Sequence, residues 1–514
     1  MQQFFKILVF SIFLTGAILS SCRKDFDFEV SSCDLRFSKD TVFLDTIFAN
    51  ISSSTYVLKV YNDSSRDLSI PTIRLRQDAS NYRLNVDGLS GQSFDNIPLL
   101  ANDSLFVFIE TVLPQTQLEQ AEFLNTDAIQ FIGSQNTQEV QLVSLVKDAN
   151  FLFPQEDGNG MSETLLIGID EDGNELRIDG FFLEEEELVF SNEKPIVVYG
   201  YAAVPPNRTL TIEAGARVHF HKNSGLIIGN TSSLHVLGSL SQDLELLENE
   251  VIFEGDRLEP EFADVGGQWG TIWFFPESTD NQLEHLTIKN ATIGLFCEGT
   301  ENDETIRYQM NNLQIYNSSS TNLWARTANI VANNCVFGNA GEVSAYLNLG
   351  GSYDFKHCTL ANYWTASFRS SPTLLIDNIL ELQPDVFIQA NLTKATFGNC
   401  IIDGNQFLEL GLVKSDTKTF NFQFKNCLIQ FDDRNSDFTD NPLFNFADLT
   451  NYDEIGLNMD VGFSKPLSND FNLLENSAAI GFGDSTISLS VPLDLVGSSR
   501  ANQSDVGAYN YIPQ

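Results

Sequence analysis

Asn334-Cys335-Val336-Phe337-Gly338-Asn339 is followed, one interval later, by His357-Cys358-Thr359-Leu360-Ala361-Asn362. Each copy sets a core-type residue, a variable residue and a second apolar residue between polar turn residues. Working outward, the phrase recurs as His285-Leu286-Thr287-Ile288-Lys289-Asn290, Asn312-Leu313-Gln314-Ile315-Tyr316-Asn317, Asn378-Ile379-Leu380, Asn399-Cys400-Ile401-Ile402 and Asn426-Cys427-Leu428-Ile429. The aligned residues Leu286, Leu313, Cys335, Cys358, Ile379, Cys400 and Cys427 step by 27, 22, 23, 21, 21 and 27. A period in the low twenties with one short strand per copy marks a solenoid. One coil cannot bury its inward side chains alone, so neighbouring coils must stack into a continuous core.

Parallel strands stack about 4.8 Å apart, which sets like residues above one another. Cys335, Cys358, Cys400 and Cys427 share their rung with Leu and Ile, and are therefore expected to be small buried hydrophobes rather than disulfide partners. Asn290, Asn317, Asn339 and Asn362 fall four residues after the rung residue. Asparagine tolerates left-handed corners and can bond to the next coil, so an asparagine ladder is expected there.

Earlier coils are visible without the cysteine: Leu210-Thr211-Ile212-Glu213-Ala214-Gly215, Leu226-Ile227-Ile228-Gly229, Leu234-His235-Val236-Leu237-Gly238 and Val251-Ile252-Phe253-Glu254-Gly255. With Gly267-Gln268-Trp269-Gly270-Thr271-Ile272-Trp273, these phrases resemble bacterial right-handed β-helix proteins of the pectin-lyase-like group. The tail extends the resemblance through Asn441-Pro442-Leu443-Phe444, Ser477-Ala478-Ala479-Ile480 and Asp505-Val506-Gly507-Ala508-Tyr509. The family usually reads Ser-Pro-Ala-Ile-Asp where this chain has Ser477-Ala478-Ala479-Ile480-Gly481. The resemblance implies a β-helix over residues 196–440 and, over 441–514, last coils and a cap that shields the open end.

The N-terminus reads as an export signal. A short n-region holding Lys6 precedes an apolar run over residues 7–19, too short to span a bilayer comfortably. Leu19-Ser20-Ser21-Cys22 resembles the lipobox of bacterial lipoproteins. That implies a signal peptide over residues 1–21, acylation of Cys22, and a lipid anchor in the cell envelope, in the outer membrane and with surface exposure as a further option. Residues 22–32 are then a tether, whose acidic stretch resembles a surface-export signal as much as a plain solvated linker.

Residues 33–148 carry short alternating strands such as Tyr56-Val57-Leu58-Lys59-Val60-Tyr61 and Leu105-Phe106-Val107-Phe108-Ile109, with turns at Asn62-Asp63-Ser64-Ser65 and Asp87-Gly88. This spacing predicts an antiparallel β-sandwich and resembles immunoglobulin-like modules of bacterial surface lipoproteins. Residues 149–195 read as an acidic transition. Its Asp170-Glu171-Asp172-Gly173-Asn174-Glu175 has the oxygen-rich look of a calcium loop but fits a solvated hairpin turn better. The expected fold class is all-β: a right-handed parallel β-helix solenoid preceded by an antiparallel β-sandwich.

With 29 Lys+Arg against 69 Asp+Glu, a formal net charge of −40, the surface repels nucleic acid and polyanionic sugars. Lyases of the resembled group join calcium-holding aspartates to a basic residue on a lateral groove. The nearest match here is Lys356, His357 and Arg369 on adjacent coils, and scattered surface residues are the plainer reading. Asp432-Asp433 could serve a hydrolase but sits in a polar loop. His219 and His221 alternate along one strand without a third ligand nearby. Trp269 and Trp273, beside Phe274 and Phe275, could stack on sugar faces or simply pack. No Ser-His-Asp set, phosphate-cradling loop or zinc spacing occurs. The expectation is a non-catalytic envelope lipoprotein that presents its β-helix to a polysaccharide or surface protein. No cofactor is required, and calcium is the one ion its acidic loops would attract. The alternatives are a polysaccharide lyase or glycoside hydrolase working in a lateral groove, and a purely structural envelope protein.

Overall fold

The computed structural model describes residues 28–114 and 122–513, apart from positions 157, 159, 171, 302, 304 and 385. The expected signal peptide, Cys22 and most of the tether lie outside the described residues, as does Glu171 of the acidic loop. The chain forms two compact units, one ending at Lys147 and one beginning at Asp148.

The first unit is built from two sheets. One contains Thr41–Phe48, Leu68–Leu75, Ser93–Leu99, Glu122–Ile132 and Thr137–Lys147. The other contains Arg36–Phe37, Tyr56–Tyr61, Tyr82–Val86, Leu89–Gly91 and Ser104–Thr111. Strict alternation along Ser104–Thr111 turns Leu105, Val107 and Ile109 inward, where they meet Val42, Leu44, Phe131 and Leu142 of the opposite sheet. Asp87 and Gly88 both take positive φ, 52° and 80°, as a two-residue hairpin turn requires. Pairing is antiparallel except where Glu29–Val30 joins Leu68–Leu75 and Thr41–Phe48 joins Thr137–Lys147.

The second unit is the β-helix. The coils stack their strands into three sheets, of 11, 10 and 10 strands; the second counts both arms of the hairpin Thr164–Ile169 and Glu175–Phe182 and receives no strand after Leu410–Val413. We call them face one (from Asn150–Leu152 to Gly456–Leu457), face two (from Thr164–Ile169 to Leu410–Val413) and face three (from Val189–Phe190 to Tyr452–Asp453). Pairing between coils is parallel and in register, as in Ile315↔Phe337↔Leu360↔Ile402 on face one. Crossovers between parallel strands of one sheet are right-handed. Eleven strands at the parallel spacing make face one about 48 Å long.

The rung residues behave as their spacing predicts. Leu286, Leu313, Cys335, Cys358, Cys400 and Cys427 are all buried in one core. The four cysteines are free thiols, and the Cys358 amide lies 3.4 Å from Cys400 Sγ. Cys33, in the first unit, is also a buried thiol, 3.1 Å from the Phe131 carbonyl.

Three expectations are corrected. Ile379 is not a rung residue: Ile379–Gln383 pairs antiparallel with Val386–Gln389 in a hairpin that leaves the stack. Thr359 instead pairs directly with Ile401, so Cys358 and Cys400, 42 residues apart, belong to consecutive coils. The asparagine ladder lies at a different corner. Asn290, Asn317 and Asn339 take positive φ, but their amides reach Ala263 O, Asp264 Oδ1 and Pro466 O; of the four expected residues only Asn362, which lacks positive φ, donates to the neighbouring coil, at Ala340 O 3.0 Å away. The laddered corner precedes the rung residue. There Asn334 Nδ2 donates to Asn312 Oδ1 at 3.1 Å, and Asn312 Nδ2 lies 3.1 Å from His285 Nε2. Finally, residues 149–195 supply the first coil rather than a connector. Asn150–Leu152 pairs with Ile196–Val198, Glu175–Phe182 with Tyr201–Val204, and Val189–Phe190 with Thr209–Glu213.

The tail does more than close an end. Phe424, Phe431, Phe444 and Tyr452 fill the last coils with ring-to-ring packing, Phe431 and Phe444 at 4.7 Å. The remaining segment runs back over the outside of face one, where Phe471, Leu473, Val506 and Tyr509 cover Tyr316, Val336, Ala361 and Ile401. Gly338 is needed at this contact, since a Cβ there would stand 2.5 Å from the Phe471 ring.

Candidate functional site: an aromatic column on face two

Along face two the chain alternates between core and exterior. The triplets Ile272-Trp273-Phe274, Leu295-Phe296-Cys297, Leu323-Trp324-Ala325 and Ala345-Tyr346-Leu347 each bury the outer two residues and turn the aromatic outward. In-register pairing then sets Trp273, Phe296, Trp324 and Tyr346 on four consecutive coils. Successive ring centroids lie 5.6, 4.8 and 5.9 Å apart, an offset stack favourable for aromatic pairs. Three rings are half-buried and Phe296 is nearly covered.

A polar row runs alongside. Glu298 accepts from Trp273 Nε1 at 2.9 Å and from Arg326 Nη1 at 3.1 Å. The Arg326 guanidinium lies 5.0 Å from the Phe296 centroid and 5.3 Å from that of Trp324, across both rings. Among the described residues, neither Trp324 Nε1 nor Arg326 Nε has a hydrogen-bond partner. Tyr346 donates to Asp377 Oδ2 at 2.7 Å. Burial, reinforced by Asp377, pushes the Tyr346 hydroxyl well above its ordinary range, and burial likewise raises Asp377. At the Trp273 end, the hairpin of Thr164–Ile169 and Glu175–Phe182 stands over Ile227 and Phe275. It encloses a largely apolar cavity of about 380 Å³ with Arg177 at its edge. The site offers half-buried aromatic rings beside an ion pair. It does not offer a base poised over an open groove.

Of the residues singled out from sequence, only Trp273 belongs to this column. Trp269 lies in the core, stacked 4.3 Å from Phe220. Lys356 is half-exposed at the end of its face-three strand. His357 is fully buried, with Nε2 3.0 Å from both Ser488 Oγ and Asn399 Nδ2, and burial drives its pKa down to about 2. Arg369 is buried against Glu409. No hydrogen bond or ion pair among the described residues joins any two of these three. Asp432 pairs with Arg434 at 2.7 Å, and Asp433 accepts from the amides of Asp437 and Phe438. His219 is buried with Nδ1 3.2 Å from the Gly255 carbonyl, whereas His221 pairs with Asp256 at 2.6 Å, which raises its pKa. Asp170 spends its carboxylate on its own hairpin turn, accepting from the amides of Asp172 and Asn174. Among the described residues no group of three His, Cys, Asp or Glu is placed to hold a metal. Phe296, Trp324 and Tyr346 complete the column without a signal in the sequence, because an aromatic between two apolar residues reads there as any buried strand.

Fold and site together define an all-β solenoid with an outward aromatic column. No family model matches the chain, and no curated protein matches it. Among solved structures, a PapD-like domain of human CEP192 is 13% identical, covering 26% of this chain and 97% of that one, at a TM-score of 0.16. A family 123 glycoside hydrolase from Clostridium perfringens is 6% identical, covering 24% of this chain and 30% of that one, at a TM-score of 0.17. Likenesses this partial have no bearing on function.

Proposed function

We propose that this chain is a non-catalytic lipoprotein of the bacterial cell envelope, anchored through acyl chains on Cys22, which binds a glycan along the aromatic column of face two. The observation that carries the reading is the alignment of Trp273, Phe296, Trp324 and Tyr346 on successive coils. Rings at coil spacing present a continuous apolar strip to the faces of successive sugar units, while Glu298, Arg326 and Asp377 border it with hydrogen-bonding groups. The immunoglobulin-like sandwich is the spacer between anchor and β-helix. The lyase or hydrolase alternative is less well supported, because His357 and Arg369, the basic groups it would call on, are buried and already bonded. Among the described residues no helix is long and apolar enough to cross a membrane.

The test uses the chain from residue 23 onward against plant, algal and host polysaccharides, with and without calcium. Binding without new reducing ends or unsaturated products is expected, and a Trp273→Ala/Trp324→Ala variant should bind at least tenfold more weakly. Cleavage of any polysaccharide, or equal binding by the variant, would overturn the reading.

A further inference from the structure

The outer surface of the second sheet in the N-terminal unit carries a second constellation, independent of the β-helix. Phe106 and Phe108, two residues apart on Ser104–Thr111, both point to solvent, 42% and 40% exposed. Their rings are nearly parallel, with centroids 6.4 Å apart and planes 16° from one another. Beside Phe108 opens a cavity of about 570 Å³, into which Arg83, Asn85, Ser90, Gln92 and Glu110 face. Arg83 and Glu110 are directly opposed across the strand pair, where opposite charges usually join. Here they do not. The Arg83 side chain makes no hydrogen bond or ion pair among the described residues, and the Glu110 carboxylate accepts only from Thr55 Oγ1. Gln92 donates its amide to the Ser80 and Tyr82 carbonyls, which leaves its side-chain oxygen free. Asn85 and Ser90 bond to each other at 3.2 Å across the cavity wall.

We infer that this cavity is a saccharide site, taking an uncharged oligosaccharide whose ring lies on Phe108 and whose hydroxyls bridge Arg83 and Glu110. A donor and an acceptor opposed across the strand pair, two residues along from Phe108, match a polyol, which supplies both roles from adjacent hydroxyls. A protein partner would require a broader apolar patch than Phe106, Phe108 and the facing Val57, which Lys59, Arg83 and Glu110 border. A polyanion is opposed by the net charge of −40.

The experiment titrates the chain from residue 23 onward with cellohexaose, xylohexaose and mannohexaose, using hexagalacturonate as the anionic control. Trp273→Ala/Trp324→Ala serves as the background, so that this site is scored apart from face two. At least one neutral hexaose should bind that background and slow amide exchange in Tyr82–Val86 and Ser104–Thr111. Phe106→Ala/Phe108→Ala should weaken it at least tenfold, and Arg83→Gln at least threefold. All three side chains are on the surface, so the fold survives, and unchanged melting temperatures verify that. Three results would overturn the inference: no neutral hexaose bound by the background, binding indifferent to the Phe106 and Phe108 changes, or a preference for hexagalacturonate. A face-two failure leaves it standing, since the background lacks that column.

Discussion

Arg369 and Glu409 form a two-pronged ion pair inside the β-helix wall, with Nη1–Oε2 at 2.9 Å and Nη2–Oε1 at 2.7 Å and neither side chain reachable by water. The guanidinium also donates to the carbonyls of Asn362 and Ser371, and the carboxylate accepts from Thr373 and the Gln406 amide. Arg369 is therefore a structural pin between coils. Removing one partner strands a buried charge, so Arg369→Met should cost about 3–5 kcal/mol. The loss would be read as a lower urea midpoint. Glu409→Gln should cost a similar amount, because Thr373 donates to Oε2 and Gln406 to Oε1, one amide oxygen replaces only one of the two, and the guanidinium is left without its counter-charge.

His357 makes the solenoid sensitive to acid. Its imidazole is held neutral in the fold, with a pKa near 2, against an ordinary value of about 6.5 in the unfolded chain. Below pH 6.5 the unfolded chain binds a proton that the folded one refuses. Stability thus falls with acidification from pH 6.5 towards 2, by at most about 1.4 kcal/mol per pH unit from this group. Asn312, Asn334, Asn399 and Asn426 occupy the same left-handed corner on other coils, with positive φ as at His357. His357→Asn should therefore fold. Urea melts at pH 7 and pH 5 should show a smaller acid loss than in the parent, and an equal loss in both proteins would refute the assignment.

The sequence made the β-helix legible because stacking demands identical neighbours, so Cys335, Cys358, Cys400 and Cys427 repeat both chemistry and spacing. The same regularity misled at Asn378-Ile379. The hairpin and its flanks lengthen one coil to 42 residues, and half of that matches the ordinary period. Corner asparagines share one composition whether they ladder or cap, so which corner is laddered depended on where the coils meet. The column on face two was hidden for another reason. An outward aromatic beside inward apolar residues has no local mark of exposure, and only the register of four coils places Trp273, Phe296, Trp324 and Tyr346 together.

The hairpin at Ile379–Gln389 should be dispensable. Among the described residues its strands pair only with each other, and the one side chain that bonds elsewhere is Gln389, to Ser415 and Thr417, while Thr359 and Ile401 join the coils above and below it. Leu382, Val386, Phe387 and Ile388 lie exposed on it. Replacing residues 380–388 with Asn-Gly keeps the Ile379↔Gln389 pair and closes a two-residue turn. Stability should change by no more than about 1 kcal/mol, since loop length weighs weakly. Solubility should improve as the apolar surface is lost. A large fall in the thermal midpoint would mean that the hairpin supports the stack.

Arg326 covers the aromatic column, and its removal should be visible in tryptophan emission. The guanidinium lies over Phe296 and Trp324 and is held there by Glu298, at 3.1 Å. A half-exposed cation on a ring contributes about 0.5–1 kcal/mol, so Arg326→Ala should be mildly destabilising. Its larger effect is on access. Trp269 is enclosed in the core, whereas Trp324 lies on the outer surface with Arg326 as its cover. Acrylamide should quench the alanine variant more strongly than the parent, and adding Trp324→Phe should abolish that increment. Arg326→Lys should fall between the two, because an ammonium keeps the charge yet lacks the flat face that shields both rings. Equal quenching in parent and alanine variant would mean that the rings are already open to solvent, and that Arg326 does not govern entry to the column.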